Sequence, residues 1–299
     1  MRNKKSFQIE GSLFIVWKKE LVKIFKQFDV LCSKYNLTYF CNGGTAIGAV
    51  RHHGFIPWDD DIDVMMPRPD YEKLLDIFRI KNVGNLEIIT PEKDENYYLT
   101  YAKLYDKNTT LLENKCFHCL IGVFIDIFPL DGAPKNPKHA KRLYDRYQKL
   151  RLNVSLTATY YGFTDLMIQL IKLHWKDVFR ILFICSFRKR IRRKSLSGIH
   201  KIIQEVNYEG SEYINEYDDY YGYKLYQPKE WYEGTREFPF EDMNVKLPKE
   251  YDKYLTHIFG DYMQYPPLSE QKSHHYVAYL NLEKRETIEE VLAKLKHKK

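Results

Sequence analysis

The 299-residue chain has no apolar run approaching the ~20 uncharged positions of a membrane-spanning helix, so none of it reads as a span. Cysteine is sparse. Five residues, an odd number at irregular spacing, exclude a disulfide framework and point to free thiols in a reducing compartment. Proline and glycine form no linker or low-complexity tract, and no internal repeat is present. The opening "MRNKKSFQIEGSLFIVWKKE" is basic and then briefly apolar, like a secretory leader, but Glu10 interrupts the apolar stretch and no small-residue cleavage site follows. The expectation is a cytoplasmic protein.

What is present is apolar and aromatic. Hydrophobic residues make up 44% of the chain, enough for a large core, and 25 tyrosines exclude disorder and suggest much amphipathic surface. Leu21, Ile24, Phe25, Phe28, Leu31 and Tyr35 at helical spacing predict a helix over 13–35. "NLTYFCNGGT" reads as a strand entering a glycine pair, "TAIGAVRHH" as a helix, "DIDVMM" as a strand ended by Pro67, and "RPDYEKLLDIF" as a helix. "LEIIT", "YYLTYAKLYD", "TTLLE" and "IGVFIDIF" predict four more strands. From "PKNPKHAKRLYDRYQKLRL" to about 205 the pattern is helical and increasingly basic, and from 237 a hairpin, a helix and a proline stop follow. The reading is an α+β chain with a core over 1–135, a helical basic insertion over 136–235, and a segment over 236–299 that completes the catalytic domain.

The carboxylates carry the chemistry. "GFIPWDDDIDVMMP" puts four aspartates into positions 59–63, where mutual repulsion raises their pKa values unless a cation sits between them. Side chains alternate along a strand, so Asp61 and Asp63 share one face of "DIDV" while Ile62 and Val64 share the other. "FIDIF" repeats the pattern around Asp126, and if the strands are neighbours it supplies a third carboxylate. A solvated acidic loop explains "DDD" but not aspartates inside apolar strands, where an unpaired charge costs several kcal/mol. The ligand type suits Mg2+ or Mn2+, completed by substrate phosphates. Upstream, the glycine pair of "NGGTAIGAVRH" lets backbone N–H groups approach an anion at a helix N-terminus, although it fits neither G-x-G-x-x-G nor the P-loop. The order glycine pair, helix, acidic strand, later aspartate is that of a nucleotidyltransferase-type fold, with a mixed central sheet flanked by helices.

These residues resemble a family. "GGTAIGAVRHHGFIPWDDDIDVMMPRPDYEKL" is similar to the signature of the LicD phosphotransferases, which include fukutin and fukutin-related protein. "YAKLYDKNTTL", "GVFIDIFPLDGAP" and "FGDYMQYPP" resemble its later blocks in the same order. The resemblance covers 36–135 well, 237–275 more loosely, and leaves about 140–235 unassigned. It implies transfer of a phospho-alcohol, typically phosphocholine, from a CDP-activated donor to a glycan acceptor such as a teichoic acid or lipopolysaccharide precursor, with release of CMP; fukutin-related members use CDP-ribitol. By position it assigns Asp59, Asp61 and Asp63 to the acidic motif and Asp126 to the later carboxylate. It assigns Gly43, Gly44 and Thr45 to the phosphate loop, Arg51 and His52 to an Arg-His pair, and Lys103 to a further phosphate contact. The implied catalytic set is Asp61, Asp63 and Asp126, with Asp59 as an added metal ligand. His53 departs from the family, where lysine is common.

Other features divide. "CFHC" at 116–119 lacks the second pair a structural zinc needs and reads as ordinary thiols. His274 and His275 read equally as surface residues or as histidines reaching the active site, where the family commonly has one. "KDVFRILFICSFRKRIRRKSLSGIHKII" joins an apolar cluster to a basic block. Core packing explains the cluster, and a basic amphipathic helix on an anionic, inner-leaflet membrane surface is the alternative, useful for an acceptor on a lipid carrier. Two rival functions remain. A nucleotidyltransferase acting on nucleic acid would interleave basic residues and aromatics along a groove, whereas the basic run here is one local block, so no nucleic-acid partner is expected. An inactive membrane-bound scaffold would have no need to keep Asp61, Asp63 and Asp126.

Overall fold

The structure, a computed structural model, describes residues 6–162, 167, 175–218, 221–273 and 275–297. It is an α+β fold. Helix α1 (Gly11–Tyr35) buries Trp17, Leu21, Ile24, Phe25, Phe28 and Leu31 along one stripe and ends at Asn36, whose φ of 52° is the left-handed cap that asparagine tolerates. Strand β1 (Phe40–Cys41) leads into α2 (Gly43–His52), then β2 (Asp63–Pro67) and α3 (Arg68–Ile80). Strands β3 (Leu86–Ile89), β4 (Ala102–Asp106), β5 (Thr110–Leu112) and β6 (Phe124–Ala133) follow. The predicted strands at "DIDVMM" and "YYLTYAKLYD" are shorter than their patterns. Pairing of β2 with β6 opens at the Ile62 carbonyl, which accepts from Asp126 N–H at 3.0 Å, so Asp61 stands just outside the strand.

The central sheet runs in the order β1-β2-β6-β4-β3 and is mixed. β2 lies parallel to β6, with Asp63 level with Asp126, and β4 is antiparallel to β6, with Lys103 level with Asp126. The far half of β6 pairs with β7 (Tyr213–Asn215), which in turn pairs with β8 (Gln227–Pro228). The core over this sheet is made by α1, β1 and the hairpin of β9 (Thr235–Phe240) with β10 (Met243–Pro248), through rings such as Phe25, Tyr39 and Phe240. Helix α4 (Pro137–Ala158), capped by the Asn136 side chain, pairs with α5 (Trp175–Ile203) around a second, smaller core that includes Tyr147, Val154, Ile199 and Tyr217. Helix α6 (Tyr251–Phe259), strand β11 (Tyr279–Asn281), which pairs with β5, and α7 (Ile288–His297) complete the described chain.

One buried ion pair locks the two acidic strands at their far ends. Arg68, first residue of α3, donates from Nε and an Nη to the two carboxylate oxygens of Asp131 on β6, at 2.6 and 2.8 Å. Asp131 is 1% exposed, so its charge has no solvent to fall back on. Breaking such a pair from one side leaves a buried charge, whereas replacing both partners by apolar groups is often near neutral. Arg68→Met should therefore cost about 3–5 kcal/mol in urea unfolding, and the double replacement with Asp131→Leu should recover most of the loss.

Candidate active site

The site is built on one rung of the sheet. Asp63, Asp126 and Lys103 are level on adjacent strands about 4.8 Å apart, and side chains level with one another share a face. Lys103 is 2% exposed; its Nζ lies 3.1 Å from Asp126 Oδ1, 3.1 Å from Glu113 Oε1 and 3.4 Å from the centre of the Phe124 ring. Burial pulls the Lys103 pKa down, but the charges of Asp126 and Glu113 outweigh it and hold it above the ordinary value. For Asp126, burial raises the pKa to about 6, with Lys103 opposing and Glu113 adding repulsion. Asp126 Oδ1 is buried, and the Lys103 ammonium that meets it at 3.1 Å is shared with Glu113.

The loop before β2 adds the remaining acids. Burial first, and the nearby Asp61 charge second, push the Asp59 pKa well above the ordinary carboxylate range. Asp59 also lies on the backbone of α2, where a Cβ on Gly44 would stand 2.4 Å from Asp59 Oδ2. Only glycine permits that approach. The Thr45 hydroxyl accepts from Asp63 N–H at 2.9 Å, fixing the start of β2. Gly43 N–H, at φ +49°, donates to Tyr254 OH at 3.0 Å.

Asp60 is held by residues from both ends of the described chain. Its carboxylate accepts from Ser273 Oγ and meets His275 Nδ1 at 2.7 Å, while its backbone carbonyl accepts from Trp17 Nε1 at 2.7 Å. His275 Nε2 lies 3.6 Å from Asp61 Oδ2. Burial lowers the His275 pKa, but the Asp60 hydrogen bond and the charges of Asp61 and Asp60 together lift it to about 9, so the ring is cationic at neutral pH. Asp60, Asp61, His275, Lys103, Glu113 and Asp126 line one cavity of about 150 Å³, whose other walls include the rings of Trp17, Tyr98, Tyr101, Phe124 and Tyr276; Asp59 and Asp63 lie outside its lining.

Asp59, Asp61, Asp63, Asp126, Lys103 and the Gly43–Thr45 turn are thus brought to one end of the sheet. Arg51 and His52 are not with them. They lie at the other end of α2, about 12 Å along its axis, where Arg51 donates to the carbonyls of Tyr262 and Gln264 and stacks 4.8 Å over Tyr265. Arg51 straps the C-terminal segment to α2. His53 closes α2 in the left-handed region at φ 56°. His274 lies outside the described residues. Glu113, Asp60 and the aromatic walls carried no local pattern that singled them out, because each is defined by neighbours distant in the chain. Asp60 is hidden in the sequence between two other aspartates.

The donor set is all oxygen and carries excess negative charge, the chemistry that holds Mg2+ or Mn2+. The buried Asp126, which shares its one lysine with Glu113, and the buried Asp59 leave an excess of negative charge that a cation would offset. Among the described residues, the donor atoms that lie within 4.8 Å of one another are those of Asp60, Asp61 and His275. The expected set Asp61, Asp63 and Asp126 does not form such a group.

Comparison with known proteins gives a concordant picture. The family model described as LicD/FKTN/FKRP, nucleotidyltransferase domain, matches residues 36–160, the span that holds the turn, the aspartates and Lys103. Lipopolysaccharide cholinephosphotransferase LicD of Haemophilus influenzae is 32% identical over 257 residues, covering 85% of this chain and 92% of that protein. An uncharacterized protein of Rickettsia typhi is 37% identical over 127 residues, 42% of this chain and 33% of its own length. Among the described residues, no helix is long and apolar enough to cross a membrane.

The acid cluster has a thermodynamic signature. With Asp126 raised to about 6 by burial, the folded state keeps a proton that the unfolded chain releases near pH ~4. Stability without metal should therefore fall as pH rises between those values, read as melting temperature in EDTA. A hundredfold excess of Mg2+ or Mn2+ over its Kd should raise the neutral-pH midpoint by about 5 °C. The rise should vanish in Asp61→Asn and Asp126→Asn, and its presence in either variant would detach that residue from the metal.

Proposed function

The chain belongs to the LicD family of phosphotransferases, and from that premise we propose that it transfers phosphocholine from CDP-choline to a hydroxyl of a cell-surface glycan precursor, such as lipopolysaccharide or teichoic acid, releasing CMP. The observation that carries the reading is the cavity itself. Carboxylates at its floor suit a metal-bound pyrophosphate, and walls of Trp17, Tyr98, Tyr101 and Tyr276 with Glu113 suit a trimethylammonium group, which binds aromatic faces and negative charge. A polyol such as ribitol would gain little from those rings.

In this reading the acceptor hydroxyl attacks the phosphorus that bears choline, and CMP departs with the electron pair of the broken P–O bond. Mg2+ or Mn2+ held by Asp61, Asp63 and Asp126, with Asp59 beside them, would neutralise the pyrophosphate and orient an in-line displacement. Asp61 or Asp63 accepts the hydroxyl proton. Lys103 keeps Asp126 ionised and, with cationic His275, adds positive charge along the cavity toward the phosphate. The Gly43–Thr45 turn stands behind the acids: Asp59 packs against Gly44, and the Thr45 hydroxyl accepts from Asp63 N–H. Arg51 acts indirectly, by holding the 262–265 segment. The reading includes a cytoplasmic enzyme, in keeping with the free thiols Cys32, Cys41, Cys116, Cys119 and Cys185.

Purified protein with Mg2+ should release CMP from CDP-choline well above CDP-ribitol or CDP-glycerol, and EDTA should stop it. Asp61→Asn and Asp63→Asn should each lower kcat roughly 10²-fold or more while remaining folded. Equal turnover of CDP-glycerol in the wild type would remove choline from the reading, and full activity in excess EDTA would remove the metal. Tyr98→Leu should raise KM for CDP-choline by about tenfold, within the range of one lost cation–π contact, and leave inhibition by CMP unchanged.

A further inference from the structure

Helix α5 is apolar on two opposite faces, and among the described residues only one of them is covered. Val178, Ile181 and Ile184 point inward and are buried. Trp175, Phe179, Leu182, Phe183 and Phe187 recur at spacings that form the opposite face, with Phe179 68% and Phe183 58% exposed. This outer face extends about 18 Å along the axis. At Phe187 the helix breaks its regular geometry (φ −114°, ψ 17°), and the chain turns from apolar to basic. Arg188 to Lys194 then supplies six basic residues and no acid.

Two of those six are structural. Arg192 is 6% exposed and donates to the carbonyls of Pro91, Asp94 and Tyr97, at 2.7, 3.0 and 2.9 Å. Arg188 donates to the Thr159 carbonyl. Lys189, Arg190, Arg193 and Lys194 remain exposed. The two struts bolt the helix to the wall of the active-site cavity: Tyr97 precedes Tyr98 of that wall, Tyr98 stacks on Phe117 at 4.0 Å, and Phe117 bridges to Thr159.

We infer that α5 docks this protein on an anionic lipid surface, its outer rings entering the interface and Lys189, Arg190, Arg193 and Lys194 meeting the headgroup charge. A large apolar face bordered by exposed cations matches the apolar interior and anionic rim of a bilayer leaflet, and indole and phenyl rings are suited to that boundary. A protein face complementary to it would need to be both apolar and acidic. Docking beside the cavity wall would bring a lipid-linked glycan close to the reacting groups. The binding itself does not depend on which donor the enzyme uses.

Co-sedimentation of the full chain with phosphatidylglycerol vesicles and with pure phosphatidylcholine vesicles tests this. Wild-type protein should bind the anionic vesicles only, and binding should fall steeply as salt rises from about 0.05 M to about 0.5 M, because the Debye length shrinks. Each exposed cation contributes about fivefold to binding, so Lys189→Gln, Arg190→Gln, Arg193→Gln and Lys194→Gln together should weaken it about 100-fold or more. Phe179→Ser with Phe183→Ser should weaken it as well, and unchanged melting temperatures would show both variants folded. The inference fails if wild-type protein ignores anionic vesicles at low salt, or if the folded quadruple variant binds as wild type does. It also fails if the protein forms a concentration-dependent dimer that the double serine variant dissolves, since the outer face then belongs to a second copy.

Discussion

A carboxylate buried in the middle of a sheet, Asp126, is the constraint around which the site is arranged. Alone it would cost several kcal/mol of desolvation. Lys103 on one neighbouring strand offsets that cost, but Lys103 is shared with Glu113, and Asp63 stands level on the other neighbouring strand. Acids outnumber bases at this end of the sheet, and burial raises the pKa values of Asp59 and Asp126. A divalent cation bound here would offset that excess of negative charge, a common relation between local instability and function.

The rest of the fold holds that imbalance in place. Arg68 and Asp131 tie β2 to β6 at the far end, so the register that brings Asp63 level with Asp126 cannot slip without burying an unpaired charge. The two ends of the chain close the near side. Phe7 pairs with Val277 through backbone hydrogen bonds, and Trp17, Ser273 and His275 converge on Asp60. Asp60 thereby ties both ends of the described chain to the cavity that Asp61 and Asp126 also line.

The helical pair α4–α5 has its own small core, yet it is not an independent appendage. Arg192 reaches back to three carbonyls of the segment that carries Tyr98, and β7 returns to the central sheet. A short chain of contacts thus joins α5 to the cavity wall. The apolar and basic halves of α5 meet where those struts begin.

Much of this was legible along the chain. Alternation in "DIDV" and "FIDIF" marked aspartates on apolar strands, helical spacing gave α1, and the long block from Gly43 to Leu74 carried the family resemblance, because each depends on residues close in sequence. Local patterns overextended β2 and β4, since strand ends are set by which carbonyl finds a partner. The sequence could not assign Arg51, which sits beside the glycine turn in the chain but at the opposite end of a helix in space. Nor could it find Glu113, the Asp60–His275 pair or the aromatic cavity wall, or tell which arginines of the basic block were struts. Those were decided only by tertiary structure, because a side chain's charge partner and its exposure are properties of residues tens to hundreds of positions away. The sequence by itself determined the chemistry available, a family and an acid-rich strand pair; folding decided which of those acids face one another.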